Sequence, residues 1–356
     1  MVSLTDIAQQ AEVSVSLVSR VLSNRMGNVG VTEEKQKRIR QIARRLGYVP
    51  NRPAQSLVRR KSGVIGLIAP RPPADSVGRN PWNSHYLHQI LSAMEIECDA
   101  RGYHSLFSHW TFDAGGLSHP RAMLDRSVDG VVLADFTRGG VVSDLVSLGI
   151  PCVQIGSNIE TSTPIDCYYG DLEQAVREAV AHLASCGHTR LVLHGGIGPG
   201  VEQIAAAFAV AASEAGVPHA FERIPTDFSG KIATPAGGHG GHPAHIVLSA
   251  PYAIELATGL AEAGLTCPAD YSLVSVVSEG WPTIHLPGWI PLSTIVLSNF
   301  EAARAAAHDL IARIEDRRGE TAPAPRRHLF PCPIHWTESV SRRFASKPGK
   351  KQGSRP

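Results

Sequence analysis

The chain has 356 residues, 43% of them hydrophobic, with 34 Lys/Arg against 32 Asp/Glu and six cysteines. That length gives room for two or three domains, and no run approaches the ~18–20 apolar residues of a membrane span. The cysteines at 98, 152, 167, 186, 267 and 332 lack CxxC spacing, which argues against zinc and disulfides and for reduced thiols in a cytoplasmic protein. The net charge of +2 hides a division: residues 1–62 balance at +8, residues 63–340 at −12 and residues 341–356 at +6. A basic head on an acidic body is the footprint of DNA binding confined to the head.

In chain order, residues 3–23 (SLTDIAQQAEVSVSLVSRVLS) come first and predict two short helices joined by a tight turn. The start is a capped polar helix and no signal peptide. Ser3 can cap the first helix with Asp6 three residues on, and Leu4, Ile7, Ala8 and Ala11 make its apolar stripe. Ser14 can cap the second, whose stripe is Val15, Val18, Val21 and Leu22. Neither is stable alone at this length, so both must pack on a third helix. Thr32 caps that one, Glu33 and Glu34 fill its first turn, and Gly47 ends it. Residues 1–50 thus form a helix-turn-helix domain with its motif at 4–23, which places the second helix in the DNA major groove.

The runs LTDIAQQAEVSVSLVSRVLSN and VTEEKQKRIRQIARRLGYVPNRPAQSLVRRKSGVIGLI resemble the lactose/purine repressor family of bacterial transcription regulators, almost continuously over residues 2–68. The marks are VSVSLVSRVLS, LGY-PN, and NRPAQSL before a buried strand. One departure stands at the turn, where the family usually has Gly and this chain has Glu12; a non-Gly residue at positive φ costs roughly 1 kcal/mol. The resemblance implies base readout by Val15, Ser16 and Arg20, with Ser19 beside them. Arg20 can pair bidentately with guanine, while Val15 offers only apolar contact, for instance to a thymine methyl. Thr5, Ser14, Ser19 and Asn24 are candidate phosphate donors, with helix capping the leading role for Ser14, and Leu17 stands where the family often has Thr. Residues 51–62 are a hinge. Its short helix is marginal alone and orders when paired with its copy on DNA. In the family it lies in the minor groove, and Leu57 matches the leucine that wedges a central base step. Arg52, Arg59, Arg60 and Lys61 add phosphate contacts.

From Gly63 the pattern becomes α/β. Strands are predicted at 64–70, 105–110, 128–135 and 151–156, with a helix at 85–102 ending at Gly102. A second set follows: helix 172–186, strand 190–196, helix 202–215, strand 245–250, helix 252–263 and strand 271–277. Helix 299–315 returns to the first half, and 328–339 supplies the last strands. This alternation predicts parallel sheets with helices on both faces. The resemblance implies a body like the periplasmic sugar-binding proteins over 63–340, with a first subdomain of about 63–165 and 296–325 and a second of about 166–295 and 326–340. The basic tail 341–356 reads as disordered and has no leucine heptads for a tetramer-forming helix.

Ligands in such bodies bind at the carboxyl ends of strands, between the halves. Here the sequence departs most. The family's effector-binding Arg falls at Ile204, its Asn-Asp pair at Ser249 and Ala250, and its later Asp near Val277 or Ser278; Asp171 alone keeps an acidic position. A sugar ligand is therefore not carried over. His85, Tyr86, Asp135, Asp171, Tyr252, Glu279 and Trp281 are the candidate effector contacts, each with ordinary loop packing as its alternative. GGIGPGV (195–201) fails as a dinucleotide loop, with Val201 where the third glycine belongs and Pro199 taken as a break. His239, His242 and His245 are spaced by three in a glycine-rich run that reads as a flexible loop rather than a metal site. No catalytic constellation, metal or cofactor is predicted. The expectation is a DNA-binding transcription regulator, a repressor, working as a homodimer on a palindromic double-stranded operator, cytoplasmic and nucleoid-associated, with no membrane partner and a small-molecule effector of unspecified class. Two alternatives stay open: a ligand-independent DNA-binding protein whose body only dimerises, and an enzyme with an incidental head.

Overall fold

The computed structural model describes residues 2–22, 31–49, 61–70, 81–113, 116–118, 123, 125, 127–134, 137–156, 159–160, 165–224, 242–316 and 325–341. The chain divides into two compact units, Met1–Ser62 and Gly63–Pro356. The hinge contacts Arg52, Leu57 and Arg59, together with Asn24, Asp135 and tail residues 342–356, lie outside the described residues.

The first unit holds α1 (Leu4–Ala11), α2 (Val15–Leu22) and α3 (Glu33–Arg45). Ser3 and Asp6 form the expected reciprocal capping box. Thr32 caps α3 by accepting from Lys35 N. Gly47 at φ 67° lets Tyr48 N reach back to Ala43 O at 2.9 Å, closing the helix with an αL residue. Ile7, Ala8, Ala11, Val18, Val21, Ile39, Ile42 and Ala43 form one buried core from all three helices. No two of these helices could bury those side chains without the third.

The body begins with β1 (Val64–Pro70), α4 (Pro81–Ala100), β2 (His104–Asp113), β3 (Gly116–Ser118), β4 (Gly130–Ala134), β5 (Thr137–Arg138), α5 (Gly139–Ser147), β6 (Cys152–Ile155), β7 (Ile159–Glu160) and β8 (Cys167–Gly170). It continues with α6 (Leu172–Ser185), β9 (Arg190–Gly195), α7 (Pro199–Glu214), β10 (His219–Arg223), β11 (Pro243–Val247), α8 (Ala250–Glu262) and β12 (Ser272–Ser278). The last elements are β13 (His285–Leu286), β14 (Ile290–Pro291), β15 (Ser293–Leu297), α9 (Asn299–Glu315), β16 (Arg327–Phe330) and β17 (Ile334–His335). The two main sheets are ordered β16-β8-β6-β4-β1-β2-β3 and β10-β9-β11-β12-β15-β17, and β13–β14 and β5–β7 form two further two-stranded sheets. All pairings within the two main sheets are parallel except β2–β3 and β15–β17.

The interior strands β4, β6 and β12 are buried on both faces, which is why they read as largely apolar runs. In β4, Val132 and Ala134 pack toward α4 and α9, while Val131 and Leu133 pack toward α5. In the second sheet Leu193, Ile246 and Val274 face α6 and α7, and Val247, Leu273 and Val277 face α8. Helix α9 packs closely on the first sheet through Ala302, Ala303, Ala306 and Ala307. A Cβ at Gly130 would meet Ile314 Cδ1 at 2.7 Å and Pro151 O at 3.2 Å, so a larger residue there would require the neighbours to shift. All six cysteines are buried free thiols.

Several boundaries differ from the sequence reading. Strands β8 and β16 belong to the first sheet, in parallel register Arg327↔Cys167 through Phe330↔Gly170. The first and last crossovers therefore follow Gly170 and Phe330 instead of lying near 165 and 325, while the middle one follows Leu297, close to the expected 295. Pro199 opens α7 instead of breaking it; at N1 its missing N–H is no loss and its fixed φ suits the helix. The strand predicted at 245–250 runs Pro243–Val247, because Ser249 is already the N-cap of α8 and Pro251 sits in its first turn. His242 and His245 are buried, at 5% and 3% exposure, and do not belong to a flexible loop.

Candidate DNA-binding and effector-binding sites

The exposed face of α2 is the candidate reading surface. Val18 and Val21 are buried, whereas Ser16, Ser19 and Arg20 are exposed on the other side, as helical spacing dictates, and Val15, in the first turn, is exposed as well. Val15, counted in the apolar stripe, is 42% exposed. Ser14 Oγ accepts from Leu17 N at 3.3 Å and shares a 3.0 Å hydrogen bond with Ser16 Oγ, so its capping role is the one the structure displays. Thr5 is exposed on α1, and Leu17 leans on the core beside Leu22. At the start of α1, hydrogen bonds from the Ser3 backbone N–H and then its hydroxyl hold the Asp6 carboxyl below the usual range.

Glu12 makes the turn between α1 and α2 in the left-handed region, at φ 54° and ψ 48°. Its N–H bonds to the Ala8 and Gln9 carbonyls, and Val13 N closes on Ala8 O at 3.0 Å. The motif is a glycine-type helix end made with a residue that carries a Cβ. Glu12→Gly is expected to stabilise the head by about 0.5–1 kcal/mol, the relieved strain exceeding the added unfolded-state entropy. Urea melts of the two proteins measure this; a lowered midpoint for the variant would show that Glu12 is held there without strain.

In the body, three of the seven candidate effector residues gather across the two sheets. His85 on α4 lies with Nε2 2.8 Å from the Glu279 carbonyl just past β12, and its ring meets Trp281 edge-on at 5.1 Å. Gln89, one helical turn beyond His85, donates its Nε2 to the same carbonyl. Sequence reasoning does not single out Gln89; the signal that could have found it is the i, i+4 spacing from His85. The other candidates lie apart. Asp171 caps α6 by accepting from Gln174 N at 3.1 Å, and it borders a cavity of about 290 Å³ with Tyr169, Arg177, Gln203, Ile204 and Arg327. Tyr252 is 7% exposed within the α8 core, where burial raises its hydroxyl pKa. Tyr86 packs on the core between α4 and α9. The positions where the sequence resemblance implies effector anchors are structurally engaged: Ile204 and Val277 are core residues, Ala250 is fully buried, and Ser278 Oγ accepts from Asn299 Nδ2 at 3.1 Å.

The second sheet also buries two imidazole pairs. His194 Nε2 lies 2.9 Å from His245 Nδ1 on the neighbouring strand, and His188 Nδ1 lies 3.0 Å from His242 Nδ1. Burial pushes the pKa of His194 down to about 4. That of His245 falls to about 3, through burial first and then through His194 and Arg190. The Glu222 carboxylate lies 3.5 Å from His194 Nδ1 but is about half exposed, so water screens it and burial prevails.

Residues 3–51 match the family model for bacterial regulatory proteins of the lacI family, and residues 180–340 match a periplasmic binding protein-like domain. Catabolite control protein A of Staphylococcus xylosus is 26% identical over 197 residues, covering 55% of this chain and 56% of that protein. The Priestia megaterium protein of the same name is 28% identical over 200 residues, 55% of each chain. This chain thus spans about half the length of the curated relatives it matches. Among solved structures, the Lac repressor dimer bound to operator and the anti-inducer ONPF superposes with a TM-score of 0.72 at 19% identity, covering 96% of this chain and 99% of that one. The complex of the transcriptional regulator CelR with cellobiose gives 0.62 at 20% identity, covering 95% and 100%. At such identities the likeness is one of fold.

Proposed function

We propose, from the match of residues 3–51 to the family model for bacterial regulatory proteins of the lacI family, that this chain is a member of that family and a sequence-specific transcription regulator acting as a repressor. Two heads of a homodimer read a palindromic double-stranded operator, since protein symmetry is mirrored in the site. The observation that carries this reading is the capped α2 with Val15, Ser16, Ser19 and Arg20 exposed. The family consists of regulatory proteins, and we read this chain as non-enzymatic and cytoplasmic, at the nucleoid; no helix among the described residues is long and apolar enough to cross a membrane. Arg52, Leu57 and Arg59 would complete the contact from the hinge. A small molecule in the cleft controls operator affinity by binding one state of the body better than the other.

Selection of sites from random DNA at two salt concentrations tests the proposal. The expected product is a two-fold symmetric motif with a central pyrimidine–purine step; binding without enrichment, falling steeply with salt, would leave only backbone electrostatics. Arg20→Ala is expected to cost about 1–3 kcal/mol on the selected site and little on random DNA. Equal losses on both in a gel-shift titration would remove Arg20 from base readout.

The second reading is a regulator whose body only dimerises. Buried Ile204 and the capping position of Ser249, where the family carries polar anchors, favour it. A thermal-shift screen of small molecules without hits, joined to ligand-insensitive operator binding, would establish it.

A further inference from the structure

The meeting point of α4 and the end of β12 leaves hydrogen-bonding capacity of one sign unused. Gln89 is 8% exposed; its Nε2 serves the Glu279 carbonyl, and its Oε1 receives no hydrogen bond from any described residue. Glu279 Oε2 is buried and likewise has no donor among the described residues. His85 Nε2 is engaged by the same carbonyl, and Trp281 stands beside His85 with its indole partly buried. Two buried side-chain acceptors therefore stay open at this point among the described residues.

A carboxylate and an amide oxygen can only accept. A buried acceptor that is left unmet bears the full desolvation cost of that group. A sugar hydroxyl both donates and accepts, so its accepting half gains nothing from this pair. An ammonium or guanidinium group only donates, carries the charge opposite to Glu279, and is attracted by an indole face. We infer that the effector of this cleft is an organic cation with a primary ammonium or guanidinium group, whose N–H donors meet the Glu279 carboxylate and Gln89 Oε1 beside Trp281. The inference rests on the reading that the body takes an effector. Such a ligand would join α4 of the first sheet to the strand end of the second, adding to the two hydrogen bonds that already span them.

Isothermal titration of the full-length protein with putrescine, agmatine and spermidine, beside glucose, galactose and ribose, tests it. The expected result is saturable binding of at least one of the cations, weakened by added salt and weakened about tenfold or more by Glu279→Gln. Glu279→Asp should retain part of the affinity, and the ligand-free melting temperature of each variant shows whether it is folded. Cation binding that is indifferent to Glu279→Gln in a folded variant would overturn the inference. Binding of a sugar and of no cation would overturn it while leaving the body effector-controlled. No binding from either set, together with operator affinity unchanged by all six compounds, would overturn both.

Discussion

Ile7→Ala is expected to cost the head about 2–5 kcal/mol, the range for truncating a fully buried aliphatic side chain. Ile7 has no exposed surface and sits among Val18, Val21, Ile39 and Ile42, contributed by both other helices. Small domains hold only about 5–15 kcal/mol in all, and one of this size lies at the low end. The loss therefore removes most of the head's margin. The exposed patch on α2 keeps its residues but loses the packing that orients them. Calorimetry should show the head's transition moved to low temperature while the body's transition, from a separate compact unit, stays in place. Operator binding at 37 °C should drop more than tenfold. A variant in which both transitions shift together would show that the head has no independent stability.

Acid should unfold the body earlier than its carboxylates alone would dictate. His194 and His245 have folded pKa values of about 4 and about 3, below the ordinary 6.5. Between those limits the unfolded chain binds more protons, so the stabilisation is complete above about pH 6.5 and is lost as the pH falls toward 4. A tenfold difference in proton affinity between the folded and unfolded chain is worth about 1.4 kcal/mol, so the pair can withdraw on the order of a few kcal/mol. Both rings are enclosed: Tyr252 lies 5.9 Å from His194, Tyr271 lies 5.9 Å from His245, and the Glu222 carboxylate lies 3.5 Å from His194 Nδ1. Urea midpoints measured from pH 7.5 to 4.5 should fall steadily below pH 6.5, with a shallower fall for His245→Leu. A midpoint that stays level to pH 5 would refute this account.

Much of the head was legible because its signals are local. Ser3, Asp6, Thr32 and Gly47 act within three or four residues of themselves, and the apolar stripes follow one period. The long interior strands were legible because burial on both faces leaves continuous apolar runs, as in GVVLA of β4. Legibility failed where the determining partner was remote. Strand β16, RHLF, alternates exposed and half-buried residues at a sheet edge, and only its pairing with β8 assigns it to the first sheet. His242 and His245 sit in glycine-rich sequence, yet both are buried, His242 against His188 and His245 against His194 on the neighbouring strand. The candidate effector residues dispersed for the same reason: Asp171 and Tyr252 have their partners within their own helix or core, while His85, Gln89 and Glu279 meet across nearly two hundred positions of chain, a closeness no local pattern encodes.

The three crossovers also set an order of events during synthesis. The head is complete once residues 1–62 have left the ribosome, and its core draws on nothing later. The first sheet is in the opposite position: α9 covers its face and β16 closes its edge, about 260 residues after β1, which at ~5–20 residues per second means roughly 10–50 s of further translation. A nascent chain therefore carries a finished head for most of its making, while the half of the body that the head leads into still lacks its last strand. On the proposed function, operator search by such chains is that of a single weak head, and the paired grip of the proposed dimer comes only with the final residues of the body.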